Sequence, residues 1–342
     1  MKDIAPKFID LFCGAGGFSE GFEKAGFEGV FAVDNWHDAV ITYRYNHPAI
    51  PVIEDNICKI DADDMLSRFN AKSEVDVIVG GPPCQGFSMA GNRNVGDVRN
   101  GLFREFVKFV DAVHPRFLVM ENVIGLLSMK TCNGGEVIQQ IEEKFSGIGY
   151  QISYRILNAA EYGVPQARRR VIVVANSLGL HNGILFPKPT HGPNSKSKKP
   201  FVTVRDAIMD IARVTDDKDE WNHNPMKHCE RVRKRFELMP KKSDLAFDQS
   251  FLPKNLRRTA FAHNCRRLVL DAPSVTLVPG HYAFPLHPVL PRTITVREAA
   301  RLQTFHDNYR FFGKRDNQAL LVGNAVPVRL AEAIAGRIRN FI

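Results

Sequence analysis

Four apolar runs in this chain stop at residues that can do chemistry. Val75-Asp-Val-Ile-Val-Gly-Gly-Pro-Pro-Cys84 reads as a buried strand with a sharp, rigid exit, and it leaves a thiol at the strand end. Phe117 to Met120 stops at Glu121, Gly29 to Val33 at Asp34-Asn35-Trp36, and Pro51 to Ile53 just before Glu54-Asp55. In open α/β sheets that edge is where ligands and chemistry gather. Cys84 there is either a nucleophile or a packed structural thiol, and the strand alone does not choose. A thiolate with a carboxyl on a neighbouring strand end suits addition to an electron-poor ring, the carboxyl protonating a ring nitrogen as the thiolate attacks. Taken singly, Glu121 also reads as a helix cap or an ion-paired carboxylate.

Gly14-Ala15-Gly16-Gly17 follows the strand Phe8 to Phe12 and opens an amphipathic helix, so backbone can approach a ligand closely there. Asp34, about twenty residues on, is placed to accept from ribose hydroxyls. Trp36 offers a stacking surface, and Asp55 an acceptor for an adenine amino group. Together they predict an adenosine site. The loop lacks the Lys-Ser/Thr of a phosphate-binding loop, and its spacing is not the dinucleotide fingerprint. Gln166-Ala-Arg168-Arg169-Arg170 precedes another apolar run. Alternation along a strand puts Arg168 and Arg170 on one face, where they could orient Glu121 and hold a phosphate; an exposed basic turn is the competing reading. The polar, glycine-rich stretch from Gln85 to Asn100 reads as a lid over bound substrate or as a plain surface loop.

Positioning these groups requires an alternating α/β sheet. Strand-like and helix-like segments alternate up to Asn176, with helices expected over 103–113 and 136–145 and two further strands over 152–157 and 170–175. From Leu178 to about Leu290 the chain is rich in Pro, Asn, His, Lys and Arg and weakly patterned, with basic clusters at Lys196-Ser-Lys-Lys, Arg231-Val-Arg-Lys-Arg, Arg257-Arg258 and Arg266-Arg267. The expected domains are therefore 1–177, a smaller irregular domain over 178–290, and a return segment over 291–342. That last segment carries helices across Val296–Thr304 and Pro327–Ile338. Ala331, Ile334, Ala335 and Ile338 give the final helix an apolar face.

The 342 residues carry a net charge of +9, split into about −4 over 1–180 and about +13 over 181–342. That asymmetry predicts a polyanion partner for the second half; a solvated basic surface is the alternative. Six cysteines show no Cys-x-x-Cys pair and no zinc spacing, so neither a disulfide framework nor structural zinc is expected. No membrane span and no signal peptide are evident, which predicts a soluble, intracellular protein.

With these residues assembled, the chain resembles the DNA (cytosine-5) methyltransferase family. The motifs that carry the resemblance are Phe8-Ile-Asp-Leu-Phe-Cys-Gly-Ala-Gly-Gly-Phe, Gly81-Pro-Pro-Cys-Gln-Gly-Phe-Ser, Glu121-Asn-Val, Gln166-Ala-Arg-Arg-Arg, Thr295-Val-Arg-Glu-Ala-Ala-Arg-Leu-Gln-Thr-Phe and Gly323-Asn-Ala-Val-Pro, in the family's order. The gap at 178–290 falls where the family places its target-recognition region. The resemblance implies a Rossmann-like, S-adenosylmethionine-dependent methyltransferase sheet with no metal and S-adenosylhomocysteine as product. Cys84 would add to C6 of a flipped-out cytosine. Glu121, oriented by Arg168, would stabilise the protonated N3, and Arg170 would support the site. Phe12, Gly14, Ala15, Gly16, Gly17, Asp34, Asn35, Trp36, Asp55, Pro83, Leu102 and Asn324 match cofactor-contact positions.

Candidate DNA contacts are Gln85, Ser88, Arg231, Arg233, Arg257, Arg258, Arg266 and Arg267. The implied partner is double-stranded DNA, handled by a monomer in the bacterial cytoplasm, with a cognate restriction endonuclease as functional counterpart. One branch of the family acts on transfer RNA, and a catalytically silent DNA-binding homologue is a third reading. Three positions depart from the family pattern: Asp34 for the commoner Glu, His306 for Pro, and a thiol at Cys13. The target sequence is not legible, because it depends on which side chains enter the groove.

Overall fold

The computed structural model describes residues 5–71, 74–82, 99–130, 134–180, 183–214, 218, 221–240, 249–257, 266–280 and 284–342. Cys84, Pro83, Gln85, Ser88 and Arg258, with the expected lid up to residue 98, lie outside them; its last two positions, Arg99 and Asn100, begin a helix. The described chain divides into two compact units. Unit 1 comprises residues up to Asn158, Arg169–Lys188 and Leu330–Ile342; unit 2 comprises Ala159–Arg168 and Pro189–Arg329. The sequence reading placed the boundaries at 177 and 290. The chain instead enters unit 2 briefly at 159–168, returns to unit 1 for Arg169–Lys188, and after Pro189–Arg329 comes back to unit 1 with its last thirteen residues.

Unit 1 is built on seven strands: β1 (Lys7–Leu11), β2 (Glu28–Asp34), β3 (Val52–Glu54), β4 (Val77–Gly80), β5 (Phe117–Asn122), β6 (Gln151–Asn158) and β8 (Arg169–Asn176), with β7 (Gln166–Ala167) belonging to unit 2. Their order is β3-β2-β1-β4-β5-β8-β6. The β1–β2, β1–β4, β2–β3 and β4–β5 pairs are parallel, and β8 runs antiparallel to both β5 and β6. This is the α/β sheet expected from the alternation of segments, with the order reversing direction between β1 and β4, the kind of switch point at which open α/β sheets bind ligands. Helices α1 (Gly17–Lys24), α2 (His37–Asn46), α3 (Ala62–Arg68), α4 (Arg99–Val113) and α5 (Val137–Gly147) connect the strands.

The strands form because their residues are β-branched or aromatic and buried on both faces. Ile78, Leu118, Met120, Val171 and Val173 share one core with Phe106, Phe109 and Val110 of α4 and Ile141 and Phe145 of α5. Tight packing fixes the register at one point in particular. A Cβ on Gly80 would sit 2.3 Å from the Leu11 carbonyl oxygen and 2.9 Å from the Phe106 ring, so only glycine lets β4 lie against β1.

Unit 2 has little regular structure, as its weak patterning predicts. It contains the short parallel pair of β7 and β9 (Ser274–Val275), and α6 (Val204–Ile208), α7 (Glu230–Leu238), α8 (Val296–Leu302) and α9 (Arg315–Asn324). Buried polar side chains do much of the work of holding it. Thr295 and Glu298 close a capping box on α8, Glu298 takes Arg292 in two 2.7 Å bonds, and buried Arg297 donates to the carbonyls of Trp221, His306 and Tyr309.

The last helix, α10 (Val328–Arg339), begins in unit 2 and continues in unit 1. There Ala331, Ile334, Ala335 and Ile338 are fully buried and Arg339 donates to the Ala25 carbonyl at 2.8 Å. By length and composition alone the stretch Arg315–Arg339 could cross a membrane. It folds as two helices, α9 and α10, mostly buried inside the protein.

Candidate active site

The glycine loop is held by backbone geometry that few residues adopt. Phe12 has φ +62°, Gly14 +53° and Gly16 +83°, so the chain turns through three left-handed residues between β1 and α1. For Phe12 that conformation costs on the order of 1–2 kcal/mol, a strain of the kind found at ligand sites. A Cβ on Gly14 would meet nothing within 4 Å, so the space above the loop is an open cradle. Helix α1 starts from Gly16 with no side-chain cap, which leaves its first backbone N–H groups to a ligand.

Asp34, at the end of β2, pins this loop. Its Oδ2 accepts from Gly14 N at 2.8 Å and its Oδ1 from Trp36 N at 2.9 Å. Burial pushes its pKa up against these bonds. Each oxygen keeps lone pairs for a further donor. Asp55 lies beside it, its N donating to the Asp34 carbonyl at 3.2 Å, with its carboxylate exposed and capping Asn56 N. Asn35 is exposed, and Phe12, Trp36 and Leu102 are partly buried. Asn324 belongs to unit 2, where it is exposed at the end of α9.

A further carboxylate, outside the residues expected to form the site, lies beneath the loop. Asp10 in β1 is buried and its carboxylate accepts from Ser19 Oγ at 2.6 Å, while Ser19 Oγ lies 2.6 Å from Tyr43 Oη, so strand, first helix and second helix are tied by one chain of bonds. Desolvation raises the Asp10 pKa to about 7, and the nearby Asp34 charge adds to that. Burial, reinforced by both carboxylates, also holds the Cys13 thiol well above its usual range. An Asp inside a strand whose neighbours are all apolar was the signal available for this group.

At the next strand ends, Glu121 closes β5, 9% exposed, and Arg170 Nε lies 2.9 Å from its Oε1. The register explains the pair. Glu121 sits opposite Ile172 on antiparallel β8, so Arg170, two residues before Ile172, is on the same face at the diagonal position. The expected face-sharing of Arg168 and Arg170 does not hold. Arg168 N donates to the Gln166 carbonyl at 2.9 Å, a three-residue turn that breaks the alternation between β7 and β8. Arg168 lies in unit 2, 2% exposed, where its guanidinium donates to the carbonyls of Gly323 at 3.0 Å and Leu277 at 3.5 Å. The arginine paired with Glu121 is Arg170.

Asn122, also buried, donates from Nδ2 to the Pro82 carbonyl at 3.0 Å and accepts from Val123 N at 2.9 Å. It thus clamps the exit of β4 two residues before Cys84. Gly81 lies against the same strand end, its Cβ position 3.7 Å from the Glu121 carbonyl oxygen.

Among the arginines expected on DNA, Arg231 and Arg233 are exposed on α7. Arg267 does not belong with them. It is buried, and its guanidinium donates to the carbonyls of His287 at 2.7 Å, Leu290 at 3.1 Å and Phe236. Arg257, though exposed, is folded back onto the carbonyls of Leu252 at 2.8 Å and Ser250 at 2.6 Å, and Arg266 is half-buried. One His/carboxylate cluster stands apart from the strand ends. Glu20, Glu23 and His47 bring their ligand atoms within 4.8 Å of one another, with Lys24 at 3.0 Å from Glu20 and His47 bonded to Glu23 at 2.6 Å.

The chain is similar in sequence to the Type II methyltransferase M1.HphI of Haemophilus parahaemolyticus, 38% identical over 96% of this chain and 85% of that one. It is 35% identical to the Type II methyltransferase M.DdeI of Desulfomicrobium norvegicum, over 96% and 88% of the two chains. Among solved structures, an E. coli prophage-encoded chain described as a DNA modification methyltransferase matches with a TM-score of 0.76 at 25% identity, over 98% and 99% of the chains. Dnmt2 of Spodoptera frugiperda shares the fold at a TM-score of 0.64 and 18% identity, over 96% and 98%. The model of the family described as C-5 cytosine-specific DNA methylase matches residues 6–340, and this chain belongs to that family.

Proposed function

We propose that this DNA cytosine-5 methyltransferase is the modification enzyme of a restriction-modification pair, and that Cys84, Glu121 and Arg170 form its catalytic edge. The observation that carries the site assignment is the pairing of Glu121 with Arg170 on the strand end next to the one whose exit Asn122 clamps. A stacked base hides its ring face from a thiolate, so the target cytosine must be extruded. Cys84 attacks C6 of that base while Glu121, oriented by Arg170, places a proton at N3. Negative charge is thereby moved off the ring, and C5 becomes the electron-rich carbon. Once C5 carried the transferred methyl group, loss of the C5 proton, departure of the Cys84 thiolate and return of the N3 proton to Glu121 would restore the aromatic ring.

The open cradle above Gly14 and the lone pairs left on Asp34 fit S-adenosylmethionine. The glycine loop would hold its methionine end, with the uncapped start of α1 facing the carboxylate. Asp34 would hold the ribose, Trp36 and Asn35 would flank the adenine, and Asp55 would accept from the amino group. When bound, that cofactor supplies an electrophilic methyl group for C5. The assignment to a restriction-modification pair rests on the Type II relatives, which this chain matches along nearly its whole length.

Bisulfite sequencing of DNA from cells expressing the protein tests the reading. The expected result is methylation at one short sequence context, lost in Cys84→Ala. Methyl transfer confined to transfer RNA would overturn it, and so would a Cys84→Ala protein that still methylates DNA. Resistance of the modified DNA to an endonuclease encoded beside the gene is the expected sign of the pair.

A further inference from the structure

Net charge sorts sharply between the two units, +11 for unit 2 against −2 for unit 1, which together give the chain's +9. Much of the positive charge in unit 2 is committed to structure, as for Arg267, Arg292 and Arg297. One cluster is not. Lys196, Lys198 and Lys199 are exposed on the loop from Thr190 to Lys199, and among the described residues none of the three has an ion-pair partner.

The loop that presents them is built, not loose. Thr190 N and His191 N donate to the Glu161 carbonyl at 2.8 and 3.0 Å, and Gly192 N donates to the Lys199 carbonyl at 2.7 Å. Ser195 and Ser197 close it further, their hydroxyls donating to the Gly192 carbonyl at 3.0 Å and the Thr190 carbonyl at 2.5 Å. Glu161, the acid at its base, has its carboxylate taken by Asn194 at 3.1 Å. Lys198 sits at φ +50°, a conformation that turns lysine away from its ordinary backbone preference. A fourth cation, Arg329, reaches the base of the loop through the Gly163 carbonyl at 2.8 Å, and the His191 ring packs over the same glycine. Burial, then Lys199 and Arg329, hold the His191 pKa down.

We propose that the loop Thr190–Lys199 is a phosphate-contact loop through which this enzyme grips the backbone of duplex DNA, adding sequence-independent affinity to whatever reads the target bases. Three cations within four residues span at most about 10 Å, the reach of two or three successive phosphates on one strand. Ordering these side chains on a pre-built loop lowers the entropy lost on binding. The inference rests on DNA being the substrate and extends the contact surface beyond the arginines picked out from the sequence.

The test is fluorescence anisotropy of the full-length protein on a labelled random-sequence duplex of about 40 base pairs, titrated across salt concentrations. The variants are Lys196→Gln/Lys198→Gln/Lys199→Gln and the matching triple Lys→Arg, with circular dichroism to show that each is folded. The triple Gln variant is expected to reduce the steepness of log K against log salt by about 2–3, and the triple Arg variant to keep it. A folded triple Gln variant with the wild-type slope overturns the loop assignment. A wild-type protein whose duplex affinity is flat with salt would overturn the DNA reading beneath it, which keeps the two failures distinct.

Discussion

Replacing Asn122 by Ala should damage catalysis more than stability, because its bonds to Pro82 and Val123 serve the exit of β4 and not the core. The side chain is buried and spans from the Pro82 carbonyl, at 3.0 Å, to Val123 N, at 2.9 Å. Removing it leaves one acceptor and one donor without their partner in a poorly hydrated place. Each such loss costs about 1–3 kcal/mol if water does not enter, so a total near 2–4 kcal/mol is expected, part of it as folding stability. The remainder appears as freedom of Pro82 and of the thiol two residues beyond. Displacement of a reacting group by about 1 Å costs roughly 100-fold in rate. The expected result is therefore a 10- to 100-fold fall in kcat, with cofactor affinity within about twofold because the glycine loop and Asp34 are untouched. Asn122→Asp is the sharper variant. It keeps the acceptor for Val123 N but sets a carboxylate oxygen against the Pro82 carbonyl, and it should fare no better than Ala. Single-turnover transfer of labelled methyl to unmethylated DNA, alongside urea unfolding, measures both quantities. A variant that loses stability but keeps the wild-type single-turnover rate would refute the clamp.

Three further outcomes follow from the same geometry. Asp34→Ala removes the bond that anchors the glycine loop at Gly14 and the one that holds Trp36 N, and equilibrium dialysis should show S-adenosylhomocysteine binding weakened at least 10-fold; unchanged binding would refute the assignment of this strand end. Arg231→Gln should lower the salt dependence of DNA binding by about one unit, whereas Arg267→Ala should leave that slope unchanged and lower the urea midpoint, because Arg267 is spent on three carbonyls. His287 is buried, with Nδ1 accepting from Val289 N at 3.2 Å and Leu290 N at 3.1 Å. Burial, with Arg292, Arg267 and His223 opposing the favourable Glu298, pushes its pKa down from 6.5 to about 4. The unfolded chain then binds the extra proton first, so stability is complete above about pH 6.5 and falls as the pH drops toward 4, by roughly 3 kcal/mol at most. His287→Gln should flatten that part of the pH–stability curve, and equal acid sensitivity in the variant would show another group to be responsible.

The sheet was legible because β2, β3, β4 and β5 hold short apolar runs that close on an acid or on glycine and proline, and those closures are themselves the site. Asp34 and Glu121 lie at the strand ends where the pattern put them. What the pattern could not carry was any departure from period two. Arg168 and Arg170 obey alternation on paper, and one three-residue turn sends the first to Gly323 and Leu277 and leaves the second beside Glu121. In unit 2 the sequence showed charge but not its use. Arg267 and Arg231 look alike in a basic cluster, and only long-range contacts to carbonyls twenty or more residues away separate a structural cation from a free one. Asp10 was passed over for a related reason: its partner Ser19 and the tyrosine beyond it come from two different helices.

The brief excursion of residues 159–168 into unit 2 has a consequence for exchanging DNA specificity between relatives. A graft cut at the visible change of composition, near 178 and 290, would import a recognition module without the strand it pairs with, since β7 is donated from upstream and bonds to β9 at Ser274 and Val275. A transplant that respects the architecture takes two pieces, 159–168 and 189–329, and leaves Arg169 onward with the recipient. The seam then falls between neighbouring arginines of a single five-residue motif, one travelling with the donor and the other staying with the host's acid.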